Sequence, residues 1–490
     1  MDRMNRRECL KKLTCGGLGL LGGAQLLPSG TASAAPTGAR PLNFIFILID
    51  DMGWTDVACF GSAFYETPNV DNLAAQGVRF TNAYSACTVC SPTRASIMTG
   101  KYPARLHVTD WIEGHKRPFA KLKVPDWTMY LPLEEVTLAE ALKPAGYVSA
   151  SIGKWHLGKE PFYPEKQGFV LNFGGTDKGQ PPSYFYPYKI PNVLTGREKE
   201  YLTDRLAEEA EKFIESNQGN PFFLYLSHFA VHTPLQARQE VTEKYKAKVK
   251  PDQAQKNAVY AAMVESVDDS VARVMKKLDE LKIADRTVIF FMSDNGGLIG
   301  STSNLPLRAG KGSAYEGGVR VPMIVKWPGV AKPGTTSDEP VISNDFYPTM
   351  LEMAGVAPSP RQIVDGVSLA PLLKQPGGRL DRSEIYWHYP HYHPGGATPY
   401  GAVRQRDYKL IEFYEDNRVE LYNLKNDISE KEDLTAKMPE KIAQLRTLLA
   451  DWRRSVGAQM PIPNPDYDPD KDKRGPDKKA QKKPKGNKGE

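Results

Sequence analysis

Two pairs of oxygen-bearing side chains stand out because each pair follows an apolar run. Asp50 and Asp51 follow residues 42–49, and Asp294 and Asn295 come shortly after residues 287–292. The four side chains offer only oxygen ligands, and three of them carry charge. Such a set suits a hard cation such as Ca²⁺, which takes about 6 to 8 oxygens, better than it suits zinc. One pair alone is typical of a polar strand exit, but the two pairs together indicate a metal site.

These side chains need a scaffold that brings distant segments together. Apolar runs alternate with amphipathic helical patterns along the chain. We predict strands at 42–49, 147–152, 222–229, 287–292 and 321–325, and helices at 69–76, 138–143, 204–216 and 257–281. This alternation predicts an α/β fold with a mostly parallel sheet. Ligands of such sheets bind beyond the carboxyl ends of the strands, so we expect the site there.

Residues 90–103 carry a more specific signal. They read CSPTRASIMTGKYP, with Cys90, Pro92 and Arg94 in a Cys-x-Pro-x-Arg pattern that continues into Thr99-Gly100. This segment resembles the signature of the sulfatase family, in which the cysteine is oxidised to formylglycine. The alternative is a free cysteine at a helix N-terminus with proline in the first turn. The resemblance covers most of residues 42–425 and implies an alkaline-phosphatase-like, three-layer α/β core.

Each functional residue of the family has a match in this sequence. The metal ligands implied are Asp50, Asp51, Asp294, Asn295 and Cys90 as formylglycine. The catalytic residues implied are Cys90, Arg94, Lys154, His156, His232, Lys311 and Asp294. Lys154, His232 and Lys311 are also the implied substrate-binding residues. Arg94 would hold the hydrated formylglycine in place, with help from Lys154.

The resemblance also implies a mechanism for sulfate ester hydrolysis. The hydrated formylglycine at Cys90 presents two hydroxyls, and one of them attacks sulfur while Asp294 helps to remove its proton. His232, with Lys311, protonates the leaving alcohol. His156 then takes the proton of the second hydroxyl, sulfate leaves and the aldehyde returns. A plain serine or cysteine lacks this second hydroxyl.

The sequence therefore predicts an exported, calcium-dependent sulfuric ester hydrolase that acts on sulfated sugars of polysaccharides or glycosaminoglycans. One Ca²⁺ per chain and maturation by a formylglycine-generating enzyme are expected. The pattern most resembles the arylsulfatase and N-acetylgalactosamine-sulfatase branch. Two alternatives stay open. One is a phosphodiesterase or phosphonate hydrolase of the same superfamily, whose two-metal members need extra His and Asp ligands. The other is a catalytically inactive sugar-binding relative.

The character of the chain changes after about residue 375. Short strands are predicted at 402–406, 408–415 and 419–423, followed by a helix at 441–456. We therefore divide the chain into a catalytic domain (40–375), an α+β subdomain (376–460) and a disordered basic tail (461–490).

The remaining aromatic and histidine residues suggest sugar contacts. Residues 387–393 form a dense aromatic cluster that suits a substrate subsite or, by the composition of His388, His391 and His393, a second metal site. Trp111, with His107 and His115, either lines the sugar pocket or lies in a surface loop. His228, in the middle of a predicted strand, is interpreted as a core histidine.

The net charge of +6 over 490 residues sits at the two ends. Residues 471–490 hold nine Lys or Arg and three acidic residues, a net charge of +6. Residues 1–34 hold five Lys or Arg and two acidic residues, a net charge of +3. Residues 35–470 therefore carry a net charge of −3. The folded part is thus not predicted to bind nucleic acid. No apolar run reaches the roughly 18 to 20 residues of a membrane span, so stable membrane insertion is not expected either.

The N-terminus reads as an export signal. Paired Arg6 and Arg7, a short apolar stretch at 16–27 and the small residues 32–34 resemble a twin-arginine signal, which predicts a periplasmic or extracellular bacterial protein. The mature chain would keep three cysteines. Cys87 and Cys90 suit a redox pair, and Cys59 and Cys87 suit a single disulfide bridge.

Overall fold

The structure is a computed structural model and describes residues 40–472. The predicted export signal and the last part of the predicted tail, residues 473–490, lie outside the described residues. In chain order, the strands are β1 (Asn43–Ile49), β2 (Val78–Phe80), β3 (Ala83–Tyr84), β4 (Leu122–Lys123), β5 (Val148–Gly153), β6 (Leu171–Phe173), β7 (Phe222–Ser227), β8 (Thr287–Ser293), β9 (Met323–Lys326), β10 (Thr335–Ser337), β11 (Val341–Ile342), β12 (Glu384–Tyr389), β13 (Tyr400–Gln405), β14 (Tyr408–Phe413), β15 (Val419–Asn423) and β16 (Ile462–Pro463).

Helices alternate with these strands over most of the chain. They are α1 (Pro68–Ala75), α2 (Cys90–Thr99), α3 (Pro103–Leu106), α4 (Leu138–Leu142), α5 (Leu202–Ser216), α6 (Gln239–Lys246), α7 (Ala258–Glu280), α8 (Glu316–Val319), α9 (Phe346–Ala354), α10 (Ala370–Lys374) and α11 (Pro439–Ser455). Within the described part of the chain, no helix is both long and apolar enough to cross a membrane.

The central sheet has eight strands in the order β10-β2-β9-β8-β1-β7-β5-β6. Its strands are parallel except for β9, which runs against both β8 and β2. The α/β architecture with a mostly parallel sheet is thereby confirmed. The predicted strand at 321–325 exists, shifted to Met323–Lys326, but its direction could not be read from an apolar run.

Both faces of the central sheet are covered, which explains why β1 is apolar at every position after Asn43. Ile45, Ile47 and Ile49 pack with side chains of α5 and α7 on one face. Phe44, Phe46 and Leu48 pack with side chains of α2, α4 and α9 on the other face. The alternation of side chains along a strand thus builds three layers from one continuous apolar run.

A second sheet holds the antiparallel strands β12-β13-β14-β15, with α11 packed on it. The sequence predicted three of these strands and the helix. β12 was not predicted as a strand, because its aromatic residues suggested a binding surface. Leu445, Leu449 and Trp452 of α11 belong to the same apolar cluster as Val89 and Val319 of the catalytic region, so this sheet lies against the segments that carry the site.

The prediction of disorder from residue 461 onward is wrong for residues 461–472. β16 pairs with β4, and the Asn464 side-chain amide donates to the carbonyls of Pro118 and Ala120. Arg117 also forms an ion pair with Asp472. Local composition predicted a solvated tail, whereas these distant partners hold the segment in place.

Candidate functional site

Four neighbouring strands of the central sheet end at the same level. Ile49 of β1 is in register with Ser293 of β8, and Ser227 of β7 is in register with Gly153 of β5. The residues that follow these strand ends therefore meet at one edge of the sheet. They are Asp50 and Asp51 after β1, Asp294 and Asn295 after β8, Lys154 and His156 after β5, and His232 after β7.

Two lysines reach the acidic pair from different segments. Lys154 Nζ lies 2.6 Å from Asp50 Oδ2, and Lys311 Nζ lies 2.6 Å from Asp51 Oδ1. Lys154 and Asp50 are fully buried. Lys311 comes from the long loop between β8 and α8, and its backbone N–H donates to the carbonyl of Gly297 at 3.1 Å. The site thus concentrates opposite charges out of water, where their interaction is strong.

Cys90 is the first residue of α2 and lies at the centre of these groups. Its sulfur lies 3.6 Å from Asp50 Oδ1 and 3.5 Å from Lys311 Nζ. Burial raises the pKa of the Cys90 thiol to about 12. An unmodified Cys90 is therefore a neutral thiol and a weak nucleophile. The three described cysteines, including Cys59 and Cys87, are free, so the predicted bridge and redox pair are not formed here.

Arg94 lies one turn further along α2 and is fully buried. Its Nε and one terminal nitrogen donate to Asp294 Oδ2 at 2.9 and 2.7 Å, and the other terminal nitrogen donates to the Lys154 carbonyl and to Ser227 Oγ. The sequence placed Arg94 on the modified cysteine. In the structure, with Cys90 unmodified, Arg94 bonds to Asp294 and to the ends of β5 and β7, and Ser227 is a partner that no sequence signal marked.

The oxygen ligands fit a bound cation. Ligand atoms of Asp50, Asp51, Cys90 and His232 all lie within 4.8 Å of one another. Asp51 Oδ2 and Asn295 Oδ1 are buried and have no hydrogen-bond partner within residues 40–472. Asp294 is held by Arg94 and accepts from the Asp51 N–H at 3.2 Å, which keeps it beside this group.

The pKa values of Asp50 and Asp51 also fit a bound cation. Burial raises the pKa of Asp50 to about 7, despite the Lys154 ammonium, and the neighbouring Asp294 and Asp51 carboxylates add to the rise. Burial also opposes ionisation of Asp51, yet Lys311 and His232 hold its pKa below the usual range. A cation would relieve the repulsion among these carboxylates and would give Asp51 Oδ2 and Asn295 Oδ1 a partner.

The two site histidines are held by backbone carbonyls, which fixes their protonation pattern. His232 Nδ1 donates to the Thr233 carbonyl at 2.8 Å, so in the neutral ring Nε2 is bare, and it lies 3.6 Å from Asp51 Oδ2. His156 Nε2 donates to the Ile112 carbonyl. Its buried Nδ1 has no partner within the described residues and offers a lone pair.

These groups form the floor of a cleft of about 400 Å³. Its lining residues are Cys90, Trp111, Ile112, His156, Gly179, Gln180, His232, Leu298, Lys311, His393 and Pro394. Trp111 lies where the sequence suggested, whereas His107 bonds to the Gly457 carbonyl and does not line the cleft. His115 does not line it either. Gly179, Gln180 and Leu298 lie in irregular segments and carried no sequence signal.

The aromatic cluster at 387–393 is mostly structural, which corrects the expectation of a subsite there. Trp387 Nε1 donates to the Ser85 carbonyl, and Tyr389 donates to Asp110. His388 bonds to Tyr414 and the Gln459 carbonyl, and His391 bonds to Thr109. Only His393 of this cluster lines the cleft. The three histidines have separate partners and form no metal-binding group among the residues that the structure describes. His228, bonded to Ser270 Oγ, is a buried core histidine as predicted.

A buried ionic cluster links the Lys311 loop to the second sheet. Lys409 of β14 donates to Glu316 of α8 at 2.8 Å and to Glu430 at 3.1 Å. Glu316 also accepts from Arg320 and Tyr84, both at 2.7 Å. The backbone N–H of Glu316 donates to Glu430 at 2.7 Å. Glu316 lies five residues after Lys311, so this cluster holds the end of the loop that delivers the lysine.

Two family models match the chain. The model described as Sulfatase matches residues 42–356, and the model described as N-sulphoglucosamine sulphohydrolase, C-terminal, matches residues 310–455. A sulfatase of Formosa agariphila is 35% identical over 473 residues, which covers 81% of this chain and 85% of that protein.

A human relative and a solved structure agree with these matches. Human N-acetylgalactosamine-6-sulfatase is 35% identical over 384 residues, which covers 73% of this chain and 69% of that protein. The crystal structure of Ps i-CgsB in complex with k-i-k-neocarrahexaose is 31% identical, with a TM-score of 0.72. The likeness covers 87% of this chain and 95% of that one.

Proposed function

Because the chain belongs to the sulfatase family of sulfuric ester hydrolases, we propose that it hydrolyses sulfate esters on sulfated sugars of polysaccharides or glycosaminoglycans. The observation that carries this proposal is the placement of Cys90. Its sulfur lies on the floor of the cleft, 3.6 Å from a carboxylate of the candidate metal group and 3.5 Å from the Lys311 ammonium. The residue that would carry the nucleophile thus lies beside a candidate cation site and a fixed positive charge.

The preference for sugars is supported by the names of the relatives. One relative is named an N-acetylgalactosamine-6-sulfatase, and one neighbour was solved with a neocarrahexaose. The cleft itself offers aromatic and polar side chains around the reacting centre, with Trp111 and Gln180 on its walls. Aromatic faces and hydrogen-bonding groups are the usual contacts of small polar ligands in such clefts.

We further propose one Ca²⁺ per chain and a formylglycine made from Cys90. Asp50, Asp51, Asp294 and Asn295, with residue 90, would hold the ion, and the unpartnered Asp51 Oδ2 and Asn295 Oδ1 fit that role. When present, the two groups supply a nucleophilic oxygen and a positive charge beside the sulfate. The raised pKa of the Cys90 thiol agrees with a need for modification, because the bare thiol is unsuited to attack.

The protein's own groups then bind sulfate and move protons. Lys154 and Lys311 would neutralise the charge that spreads over the sulfuryl oxygens. His232 holds its Nδ1 proton on the Thr233 carbonyl, so only its protonated form carries a proton on Nε2. Asp51 Oδ2, 3.6 Å away, would stabilise that imidazolium, and its Nε2 proton would pass to the leaving alcohol. His156, with its free Nδ1, would accept a proton inside the cleft. Arg94 would keep Asp294 oriented.

The alternative functions are less well supported. In the described part of the chain, one group of three or more His, Cys, Asp or Glu side chains could hold a metal ion, and it is the group around Asp50. The extra ligands that a two-metal phosphodiesterase needs are therefore not gathered at a second site among these residues. An inactive sugar-binding protein would not need Lys154, His156, His232 and Lys311 gathered around one cysteine.

We also propose export and maturation by a formylglycine-generating enzyme.

Two measurements test this function. Mass spectrometry of the peptide that contains Cys90, from protein made with a formylglycine-generating enzyme, should show the aldehyde or its hydrate. Turnover should then be compared on N-acetylgalactosamine 6-sulfate, D-glucosamine-2-N,6-O-disulfate, a neocarrahexaose, 4-nitrophenyl sulfate and an aryl phosphodiester. We expect sulfate release from at least one sugar. A clear preference for the phosphodiester would refute the proposal, as would modified protein that releases no sulfate from any of these compounds.

A further inference from the structure

One buried polar side chain in the cleft has no part in the proposed chemistry. The lining residues outside the reacting centre include Trp111, Gln180 and His393. Gln180 is exposed and Trp111 is half-buried, whereas His393 is 9% exposed. A buried imidazole that faces a cleft needs partners for its polar atoms, so the two ring nitrogens of His393 must each find one.

The ring of His393 is held in a single position. Its Nδ1 accepts the Gly395 backbone N–H at 3.0 Å. The local turn is closed by bonds from the His393 N–H to the Ala397 carbonyl and from the Gly396 N–H to the His393 carbonyl, at 3.0 and 2.9 Å. The ring also packs on Gly312, where a Cβ atom would lie 2.1 Å from Nδ1. Gly312, next to Lys311, therefore leaves the space that the imidazole fills.

The bond from Gly395 also fixes the tautomer. A backbone N–H can only donate, so Nδ1 must be the bare nitrogen and the proton of the neutral ring sits on Nε2. Nε2 has no hydrogen-bond partner among residues 40–472, and it is not sealed off from solvent. His393 thus presents one N–H donor to the cleft, beside the lysine that would bind sulfate.

The surroundings keep this donor uncharged. Burial lowers the pKa of His393 to about 4, and the Lys311 ammonium acts in the same direction. An uncharged N–H attracts the sulfate anion less strongly than the Lys154 and Lys311 ammonium groups do. It is well suited to a hydroxyl or carbonyl oxygen, such as sugar rings carry beside a sulfated position.

We propose that His393 is a specificity-determining residue whose Nε2–H donates to an oxygen of the sugar next to the sulfate ester. It would thereby favour sulfated sugars over sulfate esters that lack such an oxygen. This inference rests on the proposed function, because it assigns His393 to the sugar rather than to the reacting group. It would act on substrate choice and takes no part in the proton transfers proposed above.

Two substrates and three variants test this inference. The substrates are 4-nitrophenyl sulfate, which has no oxygen next to its ester-bearing carbon, and whichever of the three sulfated sugars the wild type hydrolyses fastest. We expect His393→Ala to lower kcat/KM on the sugar about tenfold, the worth of one hydrogen bond, and to lower it much less on the aryl ester. His393→Gln should recover most of the loss, because its amide nitrogen can take the place of Nε2. His107→Asn is the matched control, because His107 lies outside the cleft and asparagine tolerates its positive φ. This variant should leave kcat/KM on both substrates unchanged.

The outcomes separate this inference from the proposed function. An equal loss on both substrates, or no loss on the sugar, overturns the inference alone. A wild type that hydrolyses only the aryl ester contradicts both. If His393→Ala does not fold, His393→Asn takes its place, since its amide lies near Nδ1 and cannot replace Nε2. The quantity to compare is then the ratio of kcat/KM on the sugar to kcat/KM on the aryl ester. A ratio several-fold higher in His393→Gln than in His393→Asn supports the inference, and equal ratios overturn it.

Discussion

Removal of the buried ammonium of Lys409 tests how the second sheet holds the catalytic loop. Lys409 is fully buried and donates to both Glu316 and Glu430. In Lys409→Met, Glu316 keeps its bonds from Arg320 and Tyr84, whereas Glu430 keeps only the Glu316 N–H. The cost therefore falls on Glu430, a buried carboxylate left without a cation.

The magnitude follows from the charge that is left behind. Breaking a buried ion pair by removing one partner costs about 3–5 kcal/mol in the free energy of unfolding. Burial already raises the pKa of Glu430 to about 7 even with Lys409 present. In the variant Glu430 can escape its charge only by taking up a proton, and because its pKa already lies near 7, this proton uptake limits the cost at pH 7 to the lower part of that range.

Urea unfolding followed by tryptophan fluorescence measures this cost. We expect Lys409→Met to be less stable by about 3–5 kcal/mol at pH 7. The deficit should shrink towards pH 5, because the folded state prefers protonated Glu430 and protonation becomes cheap near the unfolded pKa. Adding Glu430→Gln should recover about 2 kcal/mol or more as a coupling energy. Stability within about 1 kcal/mol of the wild type in the single variant, or strictly additive changes in the double variant, would refute the reasoning.

Three further predictions concern the site and the core. Lys311→Met should lower kcat/KM for sulfate esters by about 10²–10³-fold, since it removes a fixed charge beside the sulfuryl group; steady-state kinetics that show less than a tenfold loss would contradict its role. Calcium at about 100 times its Kd should stabilise the fold by about 2.7 kcal/mol, so chelation should lower both Tm and activity, and unchanged values would argue against the metal. Burial lowers the pKa of His228 to about 3. The unfolded chain therefore takes up a proton at His228 near pH 6.5, whereas the folded protein does so only near pH 3. Between these pH values, His228 lowers the free energy of unfolding by about 1.4 kcal/mol for each pH unit of acidification. His228→Gln should reduce the acid slope of stability by about one proton, and an unchanged slope would show that His228 does not titrate this way.

The strands that carry the site could be predicted because their signal is local. A strand buried on both faces is apolar along its length, as residues 44–49 are, and its polar exit then marks the carboxyl end. The four strand ends that bear Asp, Lys or His are neighbours in the sheet. This adjacency follows from the parallel topology, so the meeting of Asp50, Lys154 and Asp294 could be expected from the sequence.

Features that depend on distant partners could not be predicted. The direction of β9 is set by its two neighbours, and an apolar run reads the same in both directions. The partner of Arg94 depends on where Asp294 lies once β8 is placed. The residues of β12 looked like a binding surface because their aromatic composition is dense, yet Trp387 and Tyr389 face inward. Residues 461–472 are ordered by contacts with residues 344 and 346 positions away in sequence, which composition does not reveal.

The most direct test of the central claim is the release of inorganic sulfate, measured by ion chromatography. Protein made with a formylglycine-generating enzyme is incubated with sulfated oligosaccharides, with Cys90→Ala as the matched control. We predict sulfate release by the wild type and its loss by several orders of magnitude in Cys90→Ala, because the nucleophile is gone. Equal release by both proteins would contradict the placement of Cys90 at the reacting centre.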